Sequence, residues 1–530
     1  MLLANTTFAY TRQDTLRGSN GEGRNWWDVQ RYELSITFDT VNKSISGYND
    51  ITIKVTDSAD VMQIDLQEPM VIDSIMHGEE KLKYWRDGNV YWAIGVNDWK
   101  HYGTVTIRVY YHGSPRIAKM PPWEGGFIWT KDSTGKPWIA VACQGLGASS
   151  WWPCKDYQGD EPDKGMNLII TVPDASTVVA NGDALAMPVT DAIASANIWG
   201  WRVTNPINTY NTTFYIGDYI SWEDTLMGEK GKLNLSYYAL RHNEQKARKQ
   251  FAVVKQMLHC FEYWMGPYPF YEDGYKLVEA PYLGMEHQSA VAYGNQYKMG
   301  YLGSDRSSTG VGLLFDFIIV HESGHEWFGN NITAVDIADN WLHEGFTTYT
   351  EVLFAECALG KEEAFAYCRG EWKNIRNDVP VTGAYGVQDD GGSDKYDKGS
   401  AVVHMLRMMI NDDEKFRQLL RGLNKDFYHK TVTSKEVEAY IEKFTGLELK
   451  AFFEQYLHTI SIPQLEWYIK KKQLYYRFTN TVAGFTLPLE VKSGRKKASV
   501  KPTTEWQSIP WKRGGFNLSV SEDFLIGVKP

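Results

Sequence analysis

The chain contains 530 residues, more than one hydrophobic core usually supports, so about three domains are expected. Its formal net charge of −10 argues against a surface that binds nucleic acid. No apolar stretch approaches the length of a transmembrane helix. The 20 Trp and 32 Tyr suit β-rich packing and aromatic-lined clefts, which favours a multidomain globular protein.

Residues 1–218 are predicted to form an antiparallel β-sheet domain. Apolar and polar residues alternate over residues 32–38, 51–55 and 105–109, the period-two pattern of half-buried strands. Turn sequences, such as residues 180–183, separate the strands.

The five cysteines include no Cys-x-x-Cys pair and no disulfide-dense framework. Cys143 and Cys154 flank a Trp-rich turn and could pair with each other. Two buried free thiols are at least as well supported. The sequence therefore leaves both states open, and cysteine usage does not decide the compartment.

Residues 219–455 are predicted to form a mainly helical domain. Helical composition runs over residues 243–265 and stops at a Gly-Pro-Tyr-Pro sequence, and a capping-box sequence at residues 433–436 opens a later helix.

Residues 456–530 return to the alternation of β-strands and predict a small β-sandwich. The step from Ile462 to Pro463 is a plausible boundary, because the residue before a proline is pushed out of helical geometry.

The helical domain contains a sequence with metal-ligand spacing. His321 and His325 are four residues apart, so on a helix both imidazoles share one face. Glu344 can come from a second helix as an oxygen ligand. Three protein ligands with a fourth position left to water are typical of a catalytic zinc site. Glu322 then lies beside that water and is the candidate general base.

The competing interpretation is a solvated helix that carries two ordinary histidines. The preceding residues 313–320 are nearly all apolar, and Trp327 and Phe328 follow the motif. A buried helix is therefore expected, in which an uncoordinated His-Glu-His set would be costly. The sequence favours the metal site.

Together with other separated sequences, this motif resembles the aminopeptidase N family of zinc metallopeptidases, which includes leukotriene-A hydrolase. The spacing from His325 to Glu344 matches the family, and so do residues 341–346, apart from His343 where the family usually has Asn. Glu351 matches a carboxylate that orients a zinc histidine. The resemblance covers most of residues 30–455.

Upstream, Gly284, Met285 and Glu286 match the core of the family's exopeptidase signature, in which the glutamate binds the free α-amino group. The chain departs from the signature at Leu283 and His287.

Two further residues match substrate-site positions. Tyr396 matches the tyrosine that stabilises the oxyanion, and Gln144 matches a residue that lines the first substrate pocket.

The resemblance implies a multidomain α+β fold: an N-terminal antiparallel β-saddle, a thermolysin-like mainly helical catalytic domain and a small C-terminal β-sandwich. It implies one zinc ion per chain and peptide substrates with a free N-terminal amine. We expect no nucleic-acid partner and no membrane span, and we favour a monomer. Family habit and an unusual N-terminus favour an extracytoplasmic location with the signal peptide missing, although a cytoplasmic one stays open.

Several residues have competing interpretations. Glu286 could be a solvated loop acid, and Tyr396 a packed aromatic after the acidic loop at residues 389–394. That loop lacks the spacing of an EF-hand, so a flexible turn is favoured over a calcium site. His287 and His343 could be extra metal ligands, but hydrogen-bonded roles are favoured.

The sequence therefore predicts a zinc aminopeptidase in which the metal-activated water is the nucleophile. A thermolysin-like endopeptidase, an epoxide hydrolase like leukotriene-A hydrolase and a catalytically inactive peptide-binding scaffold stay open as alternatives. The Gly284–Glu286 sequence argues against the endopeptidase, and the complete ligand set argues against the scaffold.

Overall fold

The structure is a computed structural model that describes residues 10–58, 61–95, 103–185, 189–191, 196–511 and 517–530. A β-rich region comes first, a mainly helical region follows, and small β-sheets form the C-terminal region. In the described part of the chain, no helix combines the length and apolarity needed to cross a membrane.

Among its described residues, the first region contains one short α-helix and sixteen strands. They are α1 (Arg12–Gly18), β1 (Trp27–Asp39), β2 (Ser44–Val55), β3 (Val61–Asp65), β4 (Val71–His77), β5 (Glu80–Lys81), β6 (Tyr84–Asp87), β7 (Val90–Ile94), β8 (Thr104–Gly113), β9 (Gly126–Lys131), β10 (Pro137–Ala142), β11 (Met166–Val172), β12 (Thr177–Ala180), β13 (Asp183–Ala184), β14 (Val189–Asp191), β15 (Ala196–Val203) and β16 (Phe214–Gly217).

These strands form three sheets. The largest has nine strands in the order β13-β15-β11-β1-β2-β8-β4-β5, with β14 on β15; the others are β12-β16-β10-β9 and β3-β7-β6. Pairing is antiparallel except between β1 and β11. Alternate residues of β8 are buried, as the period-two pattern predicts. Between the sheets, the rings of Phe127, Trp151 and Phe214 pack against one another.

The middle region begins with a mixed sheet and continues with helices. Its strands are β17 (Tyr219–Gly228), β18 (Gly231–Leu240), β19 (Tyr275–Glu279), β20 (Gly284–Met285), β21 (Val291–Tyr293), β22 (Ile332–Ala334) and β23 (Lys430–Val432). Its helices are α2 (Glu244–Gln250), α3 (Val254–Met265), α4 (Phe317–Gly324), α5 (Trp341–Leu359), α6 (Lys361–Glu371), α7 (Asp397–Ile410), α8 (Asp413–Asp426), α9 (Ser434–Thr445) and α10 (Lys450–Leu457). The predicted capping box is confirmed, because Thr433 and Glu436 cap α9 reciprocally.

The five-stranded sheet of this region, in the order β17-β18-β19-β21-β20, joins the first two regions. Some of its buried residues, such as Leu277 and Val291, belong to the hydrophobic core of the helices. Others, such as Val278 and Met285, belong to the core of the first region. The edge strand β20 therefore lies where the two regions meet.

A buried aspartate fixes the start of α4, the helix that carries the histidine motif. The Asp316 carboxylate accepts the N–H groups of Ile318 and Ile319, and it also accepts hydrogen bonds from Gln250 and Asn295. An N-cap of this kind satisfies the free amide groups of the first turn. The cap sets where the helix begins and hence which way the histidines point.

The C-terminal region contains β24 (Gln464–Lys470), β25 (Gln473–Thr479), β26 (Leu489–Ser493), β27 (Lys496–Val500), β28 (Gln507–Pro510), β29 (Ser519–Val520) and β30 (Gly527–Lys529). They form the sheets β28-β25-β24-β30 and β27-β26-β29. Helix α10 runs to Leu457, past the predicted boundary between 455 and 456, and the first strand begins at Gln464. The domain boundaries stay predictions.

Cysteine pairing differs from the pair that the sequence raised. Cys143 and Cys154 are both free and buried, which agrees with the alternative of two thiols. The disulfide instead joins Cys260 of α3 to Cys357 of α5, 97 residues further along the chain. Spacing within the sequence gave no signal for this pair, because only the packing of α3 on α5 brings the two together.

Removing this disulfide is expected to destabilise the protein. Replacing both Cys260 and Cys357 by Ala should lower the free energy of unfolding by about 3–5 kcal/mol, because a crosslink across a loop of this length restricts the unfolded chain. Urea unfolding followed by tryptophan fluorescence measures the change. A reducing agent should lower the urea concentration at the unfolding midpoint of the wild type and leave the midpoint of the variant unchanged. Equal midpoints for the oxidised wild type and the variant would mean that the cysteines are unpaired.

Candidate active site

The motif residues meet between α4 and α5. The Nε2 atoms of His321 and His325 lie 3.6 and 3.3 Å from Oε2 of Glu344. The ligand atoms of the three residues all lie within 4.8 Å of one another, and all three side chains are buried. The packing of the two helices therefore closes a three-residue group that could hold one metal ion.

Hydrogen bonds on the far side of each imidazole fix its tautomer. Nδ1 of His321 lies 2.7 Å from Oε1 of Glu351, and Nδ1 of His325 lies 3.0 Å from the carbonyl oxygen of Phe328. A carboxylate and a carbonyl only accept hydrogen bonds, so both Nδ1 atoms carry the proton. The two Nε2 lone pairs are then left to face Glu344.

This arrangement fits a cation. Oε2 of Glu344 is buried and receives no hydrogen bond within the described part of the chain. Although burial acts to lower the pKa of His321 and His325, Glu344 and other carboxylates raise both above the ordinary value. The surroundings thus favour positive charge between the three groups, and two imidazoles with one carboxylate are a donor set that zinc takes in catalytic sites.

A second group overlaps the first. Glu286, Glu322 and His325 also bring their ligand atoms within 4.8 Å of one another. Nδ1 of His325 is bonded to Phe328, so only Nε2 is free, and a single ion can use it. Glu286 already accepts hydrogen bonds from Gln144 and a tyrosine. The group with Glu344 is therefore the better metal site.

Glu322 lies in the cavity beside these ligands. Burial raises its pKa to about 8, although the neighbouring imidazoles act to lower it. Gly284 of β20 explains how the carboxylate comes so close to the edge strand, since a Cβ at this glycine would lie 2.4 Å from Oε1 of Glu322. Only glycine leaves room there for the carboxylate.

Glu286 is held by groups from the first region of the chain. Nε2 of Gln144 donates to Oε1 of Glu286 at 2.7 Å and to Oε1 of Glu344 at 3.1 Å. The hydroxyl of Tyr210 donates to Oε1 of Glu286 at 3.0 Å. Burial raises the pKa of Glu286. Met285, the preceding residue, is buried in β20.

Tyr210 is a site residue that sequence reasoning missed. It lies in a short 3₁₀ turn (Thr209–Asn211) and is 6% exposed. No motif surrounds it, and a tyrosine after a β-strand is ordinary in a domain with so many aromatic residues. Its role depends on a contact across 76 residues of sequence, which only the tertiary structure reveals.

Tyr396 is the N-cap residue of α7 and lines the same cavity as the metal ligands. Its ring lies 6.1 Å from the ring of His321 and nearly parallel to it. Burial, together with Glu344, raises its pKa well above the ordinary value, so the hydroxyl keeps its proton at neutral pH. The acidic loop before it uses its carboxylates locally: Asp394 accepts the N–H groups of Arg376 and Asn377, and Asp390 pairs with Lys395.

The two histidines that depart from the family pattern, His287 and His343, are hydrogen-bonded. Nε2 of His343 accepts the N–H of Ala334 at 2.8 Å, and Nδ1 of His287 lies 2.9 Å from the hydroxyl of Tyr215. Burial lowers the pKa of each imidazole to about 3, so both are neutral. Neither belongs to a metal-binding group among the residues that the structure describes.

A cavity of about 510 Å³ opens onto these groups. The structure brings all the predicted site residues to this cavity or directly behind it: Gln144, Gly284, Met285, Glu286, His321, Glu322, His325, Glu344, Glu351 and Tyr396. Its walls come from both the β-rich and the helical region, so a bound substrate would contact both.

Comparisons with known proteins agree with this site. Residues 250–456 match the Peptidase family M1 domain. Aminopeptidase B of Mus musculus is 25% identical over 354 residues, which are 62% of this chain and 50% of the relative. Leukotriene A-4 hydrolase of Xenopus laevis is 24% identical over 355 residues, 62% of this chain and 54% of the relative. The chain thus spans about half the length of these relatives.

Solved structures confirm the fold. An M1 zinc metallopeptidase from Deinococcus radiodurans aligns with a TM-score of 0.64 at 19% identity, covering 80% of this chain and 92% of that one. Native yeast LTA4 hydrolase aligns with a TM-score of 0.66 at 17% identity, covering 82% and 68%. The predicted order of β-rich, helical and C-terminal β regions is confirmed. Residues 250–456 are therefore similar to a peptidase family M1 domain, and they include His321, His325 and Glu344, the group that could hold one metal ion.

Proposed function

We propose that this chain is a zinc-dependent aminopeptidase that hydrolyses the N-terminal peptide bond of peptides. The observation that carries the proposal is the buried carboxylate of Glu286, which Gln144 and Tyr210 hold next to the metal ligands. A carboxylate that is held in place beside the metal ligands suits a substrate ammonium group. The α-carbon and carbonyl of that substrate would then extend toward the zinc ligands.

His321, His325 and Glu344 would hold the zinc ion. When bound, zinc polarises the scissile carbonyl and lowers the pKa of water at the site. Glu322 removes a proton from the attacking water and delivers it to the leaving amine, since its carboxylate lines the same cavity and its raised pKa suits both transfers near neutral pH.

Tyr396 stabilises the transition state. Because burial keeps its hydroxyl protonated, it can donate a hydrogen bond to the carbonyl oxygen as negative charge develops there. Tyr396 and Glu286 line the same cavity of about 510 Å³, which offers space for the first peptide unit. Glu351 keeps the His321 imidazole in the tautomer that the metal needs, and the hydroxyl of Tyr367 donates to its other oxygen at 2.5 Å.

Glu286 sets the register of cleavage. A substrate with a blocked amine would leave this carboxylate buried and without its cationic partner, which is costly. An endopeptidase needs an open cleft without such an anchor, so Glu286 counts against that alternative. The inactive scaffold is disfavoured because the metal ligands and the base are present and assembled.

We also propose an extracytoplasmic location, which the disulfide between Cys260 and Cys357 supports. Disulfides persist in oxidising compartments and are rare in the cytosol of mesophiles. The substrates in such a compartment would be peptides with a free N-terminal amine.

A digest of one peptide in two forms tests the activity. The free peptide should lose residues one at a time from its N-terminus, the N-acetylated peptide should stay intact, and 1,10-phenanthroline should stop the reaction, because cleavage needs both the ammonium and zinc. Mass spectrometry of time points measures this. Internal cleavage of both forms would establish an endopeptidase instead, and an intact free peptide would favour the scaffold.

Glu322→Gln should retain one zinc per chain and lose about 10³-fold in kcat, because the amide cannot accept the proton of water. Metal analysis and steady-state hydrolysis measure the two quantities. Glu363→Gln, on the exposed surface of α6, is the matched control and should leave both unchanged. Turnover above a tenth of wild type in Glu322→Gln would contradict the assignment of the base.

Glu286→Ala should lower kcat/KM for free-amine peptides about 100-fold at unchanged zinc content, since the substrate loses its anchor and its orientation. Glu286→Gln keeps the shape of the side chain and removes its charge. It should therefore lower kcat/KM nearly as much if the substrate ammonium is the group that Glu286 binds. Unchanged kinetics in both variants would remove Glu286 from substrate recognition, whatever the result with Glu322.

A further inference from the structure

Three large apolar side chains are exposed on one loop beside the catalytic cavity. The loop comprises residues 114–125, between β8 and β9, and is called here the 114–125 loop. Trp123 is 59% exposed, Met120 57% and Ile117 50%. Single exposed apolar residues are normal, but several together next to a cavity are typical of a binding surface.

Strand pairing places this loop beside Gln144. The register of β9 with β10 pairs Gly126 with Ala142. Trp123 comes shortly before Gly126, and Gln144 comes shortly after Ala142. Because the two strands are antiparallel, both residues lie at the same end of the strand pair. Close packing fixes the arrangement, because a Cβ at Gly125 would lie 2.2 Å from the carbonyl oxygen of Ala142.

The loop is also held by its own backbone. The N–H of Glu124 donates to the carbonyl oxygen of Met120 at 2.8 Å, and the N–H of Phe127 donates to that of Arg116, also at 2.8 Å. Lys119 is paired with Glu124 at 2.6 Å, which neutralises the charges next to the indole. The Trp123 side chain is therefore exposed on a loop whose backbone is held by hydrogen bonds.

Trp123 forms part of two cavity walls. With Pro122 it lines the catalytic cavity of about 510 Å³. With Gln144 it also lines an adjoining cavity of about 370 Å³. Gln144 donates to Glu286, the proposed anchor of the amine, and it lines both cavities together with Trp123.

We propose that Trp123 determines specificity for the first residue of the substrate by packing its indole against that side chain, which favours aromatic and large aliphatic residues over alanine. The inference rests on the proposed aminopeptidase function. An aromatic or long aliphatic side chain that starts between Glu286 and the zinc ligands would cover the exposed indole, whereas a methyl group would leave it in water. Leu283 and Phe317 add further apolar surface to the same cavity.

The test compares substrates that differ only in the first residue: Phe-Ala-Ala, Leu-Ala-Ala and Ala-Ala-Ala. Trp123→Ala should lower kcat/KM about tenfold for the first two and less than twofold for the third. Trp123→Phe should recover most of the loss, because it restores an aromatic face. Met120→Ala is the matched control: it removes an equally exposed residue of the same loop that lines neither cavity.

Binding gives a second readout that does not need turnover. In the Glu322→Gln background, calorimetric titration with Phe-Ala-Ala and Ala-Ala-Ala should show that Trp123→Ala weakens the Kd of the first peptide only. Equal losses for all first residues, or a loss that follows the second residue of the peptide, would overturn the role of Trp123. A wild-type enzyme that cleaves none of these peptides would overturn the proposed function itself, which is a separate result.

Discussion

Two imidazole lone pairs and a carboxylate oxygen face one another in a buried space and repel one another. The rest of the site depends on a cation that relieves this repulsion. Nε2 of His325 lies 3.3 Å from the same oxygen of Glu344 that faces His321. Such a set is unstable in an apolar interior without positive charge between its members. The surrounding packing keeps the three groups together, and a bound zinc ion would supply the charge.

Much of the helical region serves to hold this set in place. Asp316 caps the helix that carries the histidines, and Glu351 orients the imidazole of His321. A disulfide ties α5, the helix of Glu344, to α3. Of these groups, Glu351 lines the cavity, whereas Asp316 and the two disulfide cysteines are not among the lining residues. These contacts preserve an arrangement that the three ligands alone would not keep, since their mutual repulsion opposes it.

The β-rich region completes the substrate side of the cavity. Gln144 follows β10 and reaches both Glu286 and Glu344, and Tyr210 reaches Glu286 from a neighbouring turn. The metal ligands therefore come from one region and the hydrogen-bond donors to the amine anchor from another. The proposed recognition of the substrate amine would therefore depend on how these regions pack, and Trp123 lines the same cavity.

Local sequence determined those parts of the protein that depend on periodicity and short spacing. Alternation predicted the strands, the capping box predicted the start of α9, and the spacing of His321 and His325 predicted one helical face. The resemblance carried by the motifs added Glu286 and Tyr396, and both line one cavity together with Glu344.

Only the tertiary structure decided the contacts between distant segments. Cys260 pairs with Cys357 while Cys143 stays free, and Tyr210 becomes a partner of Glu286. These contacts carry no local signal, because any buried cysteine or tyrosine of a β-rich chain has the same sequence surroundings. They follow from which helix and sheet faces meet, and that is determined by burial over the whole molecule.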